Sequence, residues 1–169
     1  GQGYMLATPL QLANATAALA ARGQRFRPRL VAAFEDPLSG RRTLIAPEPL
    51  QRVQIENEFY WENVLLAMQD VMQSETGTAR ASGLGAPYQM AGKSGTAQVF
   101  TVAQDEEYDE EEIDERLRDH ALFIAFAPFE DPQIAVSVIV ENGSSGSRIA
   151  APIARAVMDR FLGFADDEL

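Results

Sequence analysis

Apolar and polar positions alternate between two periods along this chain, and the switches mark its elements. Thr8-Pro9 opens the first run at helical spacing. Threonine accepts as N-cap and proline, pre-set to helical φ, takes the first position, so a helix is predicted over residues 9–22. Gly23 supplies the left-handed stop. Leu10, Ala13, Ala17 and Ala20 form its apolar stripe, rich enough in alanine to predict close packing. Residues 29–34 and 42–45 read as short strands about the turn residues Asp36-Pro37-Leu38-Ser39-Gly40. The proline-rich 46–49 reads as a connector, and 58–72 as a second helix with Phe59, Val64, Leu65, Met68, Val71 and Met72 apolar. Residues 74–79 and 83–87 read as loops. Residues 88–91, 96–102, 121–127 and 133–140 are β-rich. Pro128-Phe129-Glu130-Asp131-Pro132 has the chemistry of a hairpin turn, which makes the last two strands antiparallel. A last helix is predicted over 148–162, with Ser147 as N-cap, Pro152 in its first turn, and Ile149, Ile153, Ala156, Val157 and Leu162 on its apolar face.

Sequential antiparallel strands with helices before and after them define an α+β class: an antiparallel sheet covered by helices. A length of 169 residues suits one domain or a large piece of one. The longest apolar runs fall far short of a membrane span, and no signal peptide is expected in Gly1-Gln2-Gly3-Tyr4, which lacks both a basic and an apolar region.

Composition removes several chemistries. There is no cysteine, so disulfides, thiolate catalysis and cysteine-held metals are excluded; the single histidine, His120, excludes a multi-histidine zinc site. A net charge of −11 argues against nucleic acid as a partner. Ten of the acids lie between Asp105 and Asp119, which reads as a solvated surface excursion, without the alternation and glycine of a calcium loop. Arg22, Arg25, Arg27 and Arg29 are the basic counterpoint and read as a surface turn, with an acidic partner or membrane phosphates as the alternative.

The candidate chemistry lies in Ala91-Gly92-Lys93-Ser94-Gly95-Thr96-Ala97-Gln98-Val99. Lys93 is the only lysine, against 13 arginines. A lysine amine is a compact point charge, where arginine is a planar fork. Two hydroxyls, Ser94 and Thr96, lie beside it, and Gly95 permits close approach of another element. Gly92-Lys93-Ser94 is not a phosphate loop: the required glycine five residues earlier is Pro87, and strand-forming rather than helix-forming residues follow. The better match is the lysine-[Ser/Thr]-glycine motif of penicillin-recognising serine enzymes. His120 reads as a structural or hydrogen-bonding residue, and Trp61 as a packing anchor.

With Gly1-Gln2-Gly3-Tyr4, Ala7-Thr8-Pro9, Gly77-Thr78-Ala79, Glu115-Arg116-Leu117-Arg118-Asp119-His120, Phe126-Ala127-Pro128, Pro132-Gln133-Ile134-Ala135-Val136 and Glu141-Asn142-Gly143 added, the chain resembles the C-terminal part of the transpeptidase domain of class B penicillin-binding proteins. The resemblance implies a β-lactamase-like fold, of which residues 1–169 are one incomplete portion. It implies acyl transfer on D-alanyl-D-alanine stem peptides, inhibition by β-lactams, and no cofactor. It assigns substrate binding to Lys93, Ser94, Gly95 and Thr96, and catalytic roles to Lys93 and to the backbone N–H of Thr96, as half of an oxyanion hole. It also implies a periplasmic enzyme anchored to the inner membrane, with a membrane-embedded glycan polymerase and cell-elongation proteins as partners. The family's serine-x-x-lysine nucleophile motif has no counterpart, since Met90 stands three residues before the only lysine, and serine-x-asparagine is absent too. The chain alone is therefore expected to be inactive. The alternative is a non-catalytic module that docks to elongation partners through the acidic or the basic cluster.

Overall fold

In the computed structural model, residues 5–99 and 114–165 are described. The stretch from Asp105 to Ile113, with most of the acidic cluster, lies outside them, as do Phe100 to Val102 of the expected strand. Helix α1 (Pro9–Ala20) begins as its sequence dictates. The Thr8 hydroxyl accepts from the Gln11 N–H and the Gln11 side chain accepts from the Thr8 N–H, a reciprocal capping box. Gly23 follows at φ 91°, where a Cβ would also lie 2.7 Å from the Val53 carbonyl oxygen and 2.9 Å from the Trp61 ring. The apolar stripe differs from the sequence expectation. Leu10 is exposed, as is Ala17, while Thr16 and Ala20 are buried. Thr16 can take a core position because its hydroxyl donates to the Leu12 carbonyl one turn back.

Two ribbons follow: β1 (Arg25–Phe26) pairs with β4 (Pro49–Leu50), and β2 (Ala33–Glu35) with β3 (Arg42–Leu44). The connector at Pro49 thus ends in a strand, and the 29–34 strand is shortened to Ala33–Glu35, keeping only its last two expected residues. Asp36 shapes the turn by accepting from the Leu38 and Ser39 N–H groups, which hold its carboxyl below the usual carboxylate range. Helix α2 (Phe59–Gln73) turns Trp61, Leu65, Met68 and Met72 inward and leaves Phe59 and Val64 exposed. A single helical turn, α3 (Arg80–Gly83), interrupts the expected loops.

The main sheet has the order β5 (Ala91–Ala97), β6 (His120–Ala127), β7 (Ile134–Val140), antiparallel throughout. Residues 88–90 do not join it; β5 instead runs unbroken through the Lys93 group. One face packs Phe126, Ala91 and Ile124 against Ala20 of α1 and Leu65 and Met68 of α2. The other packs Phe123, Ala121, Ala125 and Val136 against helix α4 (Ala151–Leu162).

Entry to α4 is a π-helical turn, Gly146–Ala150, capped by Ser145, whose hydroxyl accepts from the Arg148 N–H, and not by Ser147. The buried face of α4 also differs from the one expected. Ala151, Ala154 and Met158 face the sheet, and Ile149, Ile153 and Val157 stand half-exposed. Alanine wins because its methyl lets the helix axis come close, so a stripe of the smallest apolar side chains can be the inner one. Tyr88 fastens α4 to the start of β5. Its hydroxyl donates to Asp159 at 2.6 Å, Arg155 pairs with the same carboxylate, and burial followed by the Asp159 bond pushes the phenol far above its usual range.

Candidate functional site

Lys93, Ser94, Gly95 and Thr96 lie mid-strand on β5, which has no strand partner on its second edge among the described residues. Pairing sets their faces. Lys93 opposes Ile124 and Gly95 opposes Leu122, so their side positions share the α1 face. Ser94 opposes Phe123 and Thr96 opposes Ala121, on the α4 face. Ammonium and hydroxyls therefore start from opposite faces, and Gly95 does point away from the hydroxyl side. What unites them is the edge. The exposed Lys93 side chain curls round it, so that Nζ donates to the Ser94 carbonyl oxygen at 2.9 Å and reaches the Ser94 hydroxyl at 3.4 Å. On an antiparallel strand, a residue turns both its N–H and its C=O toward one side, and the side alternates. With the Ser94 carbonyl turned out toward Lys93, Thr96, two residues on, turns its N–H to the same open side.

All four residues line a groove of about 440 Å³ together with His120, Leu122 and Ile139 of the sheet and Met5, Leu6 and Leu12 at the start of α1. Its walls are mostly apolar, with polar groups concentrated along β5. A group at that edge meets one cation, the Ser94 hydroxyl beside it and an outward N–H, with Thr96 two residues on. That set suits an anion and an oxygen that gains negative charge during a reaction. Among the described residues, no group of three or more His, Asp or Glu side chains is placed to hold a metal.

Close approach does occur at Gly95, but the glycine it requires is Gly146. A Cβ on Gly146 would lie 2.3 Å from the Leu122 carbonyl oxygen and 2.8 Å from that of Gly95, while one on Gly95 would meet only the Leu122 side chain, at 3.3 Å. The π-turn thus sits directly on the backbone of β5 and β6 behind the motif, a constraint that residue types alone do not show. Gly146→Ala forces this turn off the ladder. The expected loss is about 1–3 kcal/mol of stability in chemical denaturation, as for other overpacked sites; an unchanged midpoint would contradict the packing described.

His120 accepts the Asn142 backbone N–H at its Nδ1, 2.9 Å away, in line with a hydrogen-bonding role. Asn142 went unnoticed as a structural centre. It adopts φ 57°, and its amide donates to the carbonyls of Arg116 and Arg118 at 2.9 Å each. The only sequence signal is Asn-Gly directly after a strand, where left-handed backbone is cheap.

An antiparallel sheet between helices, with a lysine-serine-glycine strand at its open edge, defines a penicillin-recognising transpeptidase architecture. The penicillin binding protein transpeptidase domain profile matches residues 1–159, and the chain belongs to that family. It is 40% identical over 170 residues to the peptidoglycan D,D-transpeptidase MrdA of Haemophilus influenzae, covering 96% of this chain and 25% of that protein. Among solved structures, it resembles Pseudomonas aeruginosa PBP2 in complex with WCK 5153, with TM-score 0.74 and 43% identity over 99% of this chain and 33% of that one. It also resembles penicillin-binding protein A of M. tuberculosis in an imipenem acyl-enzyme complex, with TM-score 0.72 and 28% identity over 96% and 32%. The chain thus spans about a quarter of the length of the curated relative.

Proposed function

We propose that this chain is the motif-bearing C-terminal part of the catalytic domain of a peptidoglycan D,D-transpeptidase that cross-links the wall during cell elongation. The observation that carries it is the placement of Lys93, Ser94 and Thr96 together on an open strand edge beside a groove, in a chain whose relatives bear that activity by name. A serine from the upstream part of the polypeptide attacks the penultimate D-alanine carbonyl of a stem peptide. The tetrahedral oxyanion collapses to an ester as the terminal D-alanine leaves with a proton on its amine. The amine of a second stem peptide then attacks the ester and frees the serine. β-Lactams enter as acyl donors whose leaving group stays tethered.

Each motif residue has a task in this scheme. The Ser94 and Thr96 hydroxyls donate to the donor's terminal carboxylate. Hydrogen bonds to a charged acceptor contribute roughly 1.5–3 kcal/mol each. Lys93 adds positive potential at the same end and assists proton movement near the serine. The Thr96 N–H donates to the oxyanion. Gly95 keeps the strand surface low between them. The parent enzyme works on the periplasmic side of the inner membrane, held by an N-terminal helix upstream of this sequence, beside a membrane-embedded glycan polymerase and other elongation proteins. No helix among the described residues is long and apolar enough to cross a membrane.

Fluorescent penicillin followed by a denaturing gel tests the assignment. Label is expected on the full-length protein and not on residues 1–169 alone, because Met90 occupies the position three before Lys93 where the family's nucleophile would have to stand. Label on the isolated chain would refute an upstream nucleophile, and no label on the full-length protein would refute the transpeptidase assignment.

A further inference from the structure

His120 has a second side that its bond to Asn142 does not use. It opens β6 directly opposite Ala97, so alternation puts it on the face shared by Lys93 and Gly95, and it lines the same groove. Between His120 and the open edge of β5 the side positions are small. Ala97 carries a methyl and Gly95 nothing, with Leu122 as the floor. A shallow trough therefore runs from the Lys93 edge to the imidazole.

The ring is held from behind. The Asn142 N–H donates to Nδ1, and Asn142 itself is fixed by its two amide bonds to the Arg116 and Arg118 carbonyls. A nitrogen that accepts carries no proton, so in the neutral ring the proton sits on Nε2. Nε2 makes no hydrogen bond to a described residue, and the ring is partly exposed. Anchoring one nitrogen to the backbone while the other meets the cavity is how an imidazole is oriented for a ligand.

Resting on the transpeptidase assignment above, we propose that His120 is a substrate-binding residue whose Nε2–H donates to an oxygen of the acyl donor on the amino side of the scissile bond. Its position fixes which part of the donor it meets. With the terminal carboxylate at Ser94 and the reacting carbonyl at the Thr96 N–H, the donor continues along β5 past Ala97, where His120 stands. The acceptor is a peptide carbonyl or side-chain carboxylate of the stem residues that precede the two D-alanines. His120 thereby selects long donors over truncated ones without taking part in the bond-making step.

Two substitutions in the full-length protein separate this role from a structural one. His120→Asn keeps an acceptor near Nδ1 and removes the groove donor; His120→Gln keeps a donor near Nε2 and gives up the Asn142 bond. Acylation is measured on penta- or tetrapeptide donors ending in D-Ala-D-Ala and on N-acetyl-D-Ala-D-Ala. The expected result is that His120→Asn raises KM about tenfold on the long donors, the loss of one hydrogen bond, and leaves the truncated donor unchanged, while His120→Gln restores the preference. The reverse pattern, with Asn matching the wild type and Gln impaired on both donors in step with a lower melting temperature, would overturn the proposal. So would equal effects on both donors. If the wild-type protein is acylated by neither donor nor by penicillin, it is the transpeptidase assignment that fails, and the His120 role falls with it.

Discussion

Lys93→Ala in the full-length enzyme is expected to slow acylation by fluorescent penicillin roughly a hundred- to a thousand-fold, the cost of removing one preorganised electrostatic contact. The same variant is expected to unfold at the wild-type denaturant midpoint. Lys93 is exposed, and among the described residues its ammonium bonds to the carbonyl and hydroxyl of the next residue. Exposed substitutions away from caps and cores usually stay within about 0.5 kcal/mol. Lys93→Arg is not a rescue. The guanidinium is a planar fork, and a compact ammonium is what curls round the strand edge to the Ser94 hydroxyl. Stopped-flow acylation gives the rate and urea unfolding the stability. Acylation at the wild-type rate would remove Lys93 from the mechanism, and a lost midpoint would mean that it holds the fold.

Phe123→Ala is expected to have the largest effect on stability, about 3–5 kcal/mol. Its side chain is 1% exposed and lies at the centre of the α4-side core. It opposes Ser94 on β5 and Val138 on β7, and its ring fills the space where a Cβ on Gly92 would stand, 2.7 Å away. Truncation leaves a void that neither neighbour can fill, since Gly92 has no side chain and β5 is held by its ladder. The urea midpoint of the full-length protein measures the loss, with the m-value as the check on cooperativity. A loss under about 1 kcal/mol, in the range of ordinary surface changes, would contradict the placement of Phe123 in the core. Because Phe123 lies behind Ser94, the surviving folded fraction is also expected to acylate more slowly.

The elements that sequence predicted well are those in which one residue's own chemistry settles a local choice. Thr8-Pro9 starts α1 whatever packs on it, Asp36 and Gly40 make their turn from short-range bonds, and apolar, β-rich runs about the turn-forming residues 128–132 mark β6 and β7. Where packing decides between two equally apolar faces, the pattern misleads. Ile149, Ile153 and Val157 look like the inner face of the last helix, yet Ala151, Ala154 and Met158 take it, because closeness to the sheet depends on how small the contacting side chains are. The same holds for Thr16 in place of Leu10 on α1.

The candidate site divides in the same way. Its residue types were legible: one lysine between small and hydroxylated neighbours, in a strand-forming run, already marks the candidate site. Their relation in space was not. That the ammonium and the hydroxyls start from opposite faces and meet only at the edge follows from the pairing of Lys93 with Ile124 and of Ser94 with Phe123. That Gly146 closes the back of the motif, and that Asn142 aims His120 into the groove, depends on residues some fifty and twenty positions away, respectively, being folded onto β5 and β6. Local propensity and residue chemistry are properties of a few neighbours, so the chain alone marked its longer helices, the β6–β7 hairpin and the residue types of the candidate site. Contacts between distant segments are properties of the packed whole, and only the tertiary structure decided which faces are buried and which groups share a cavity.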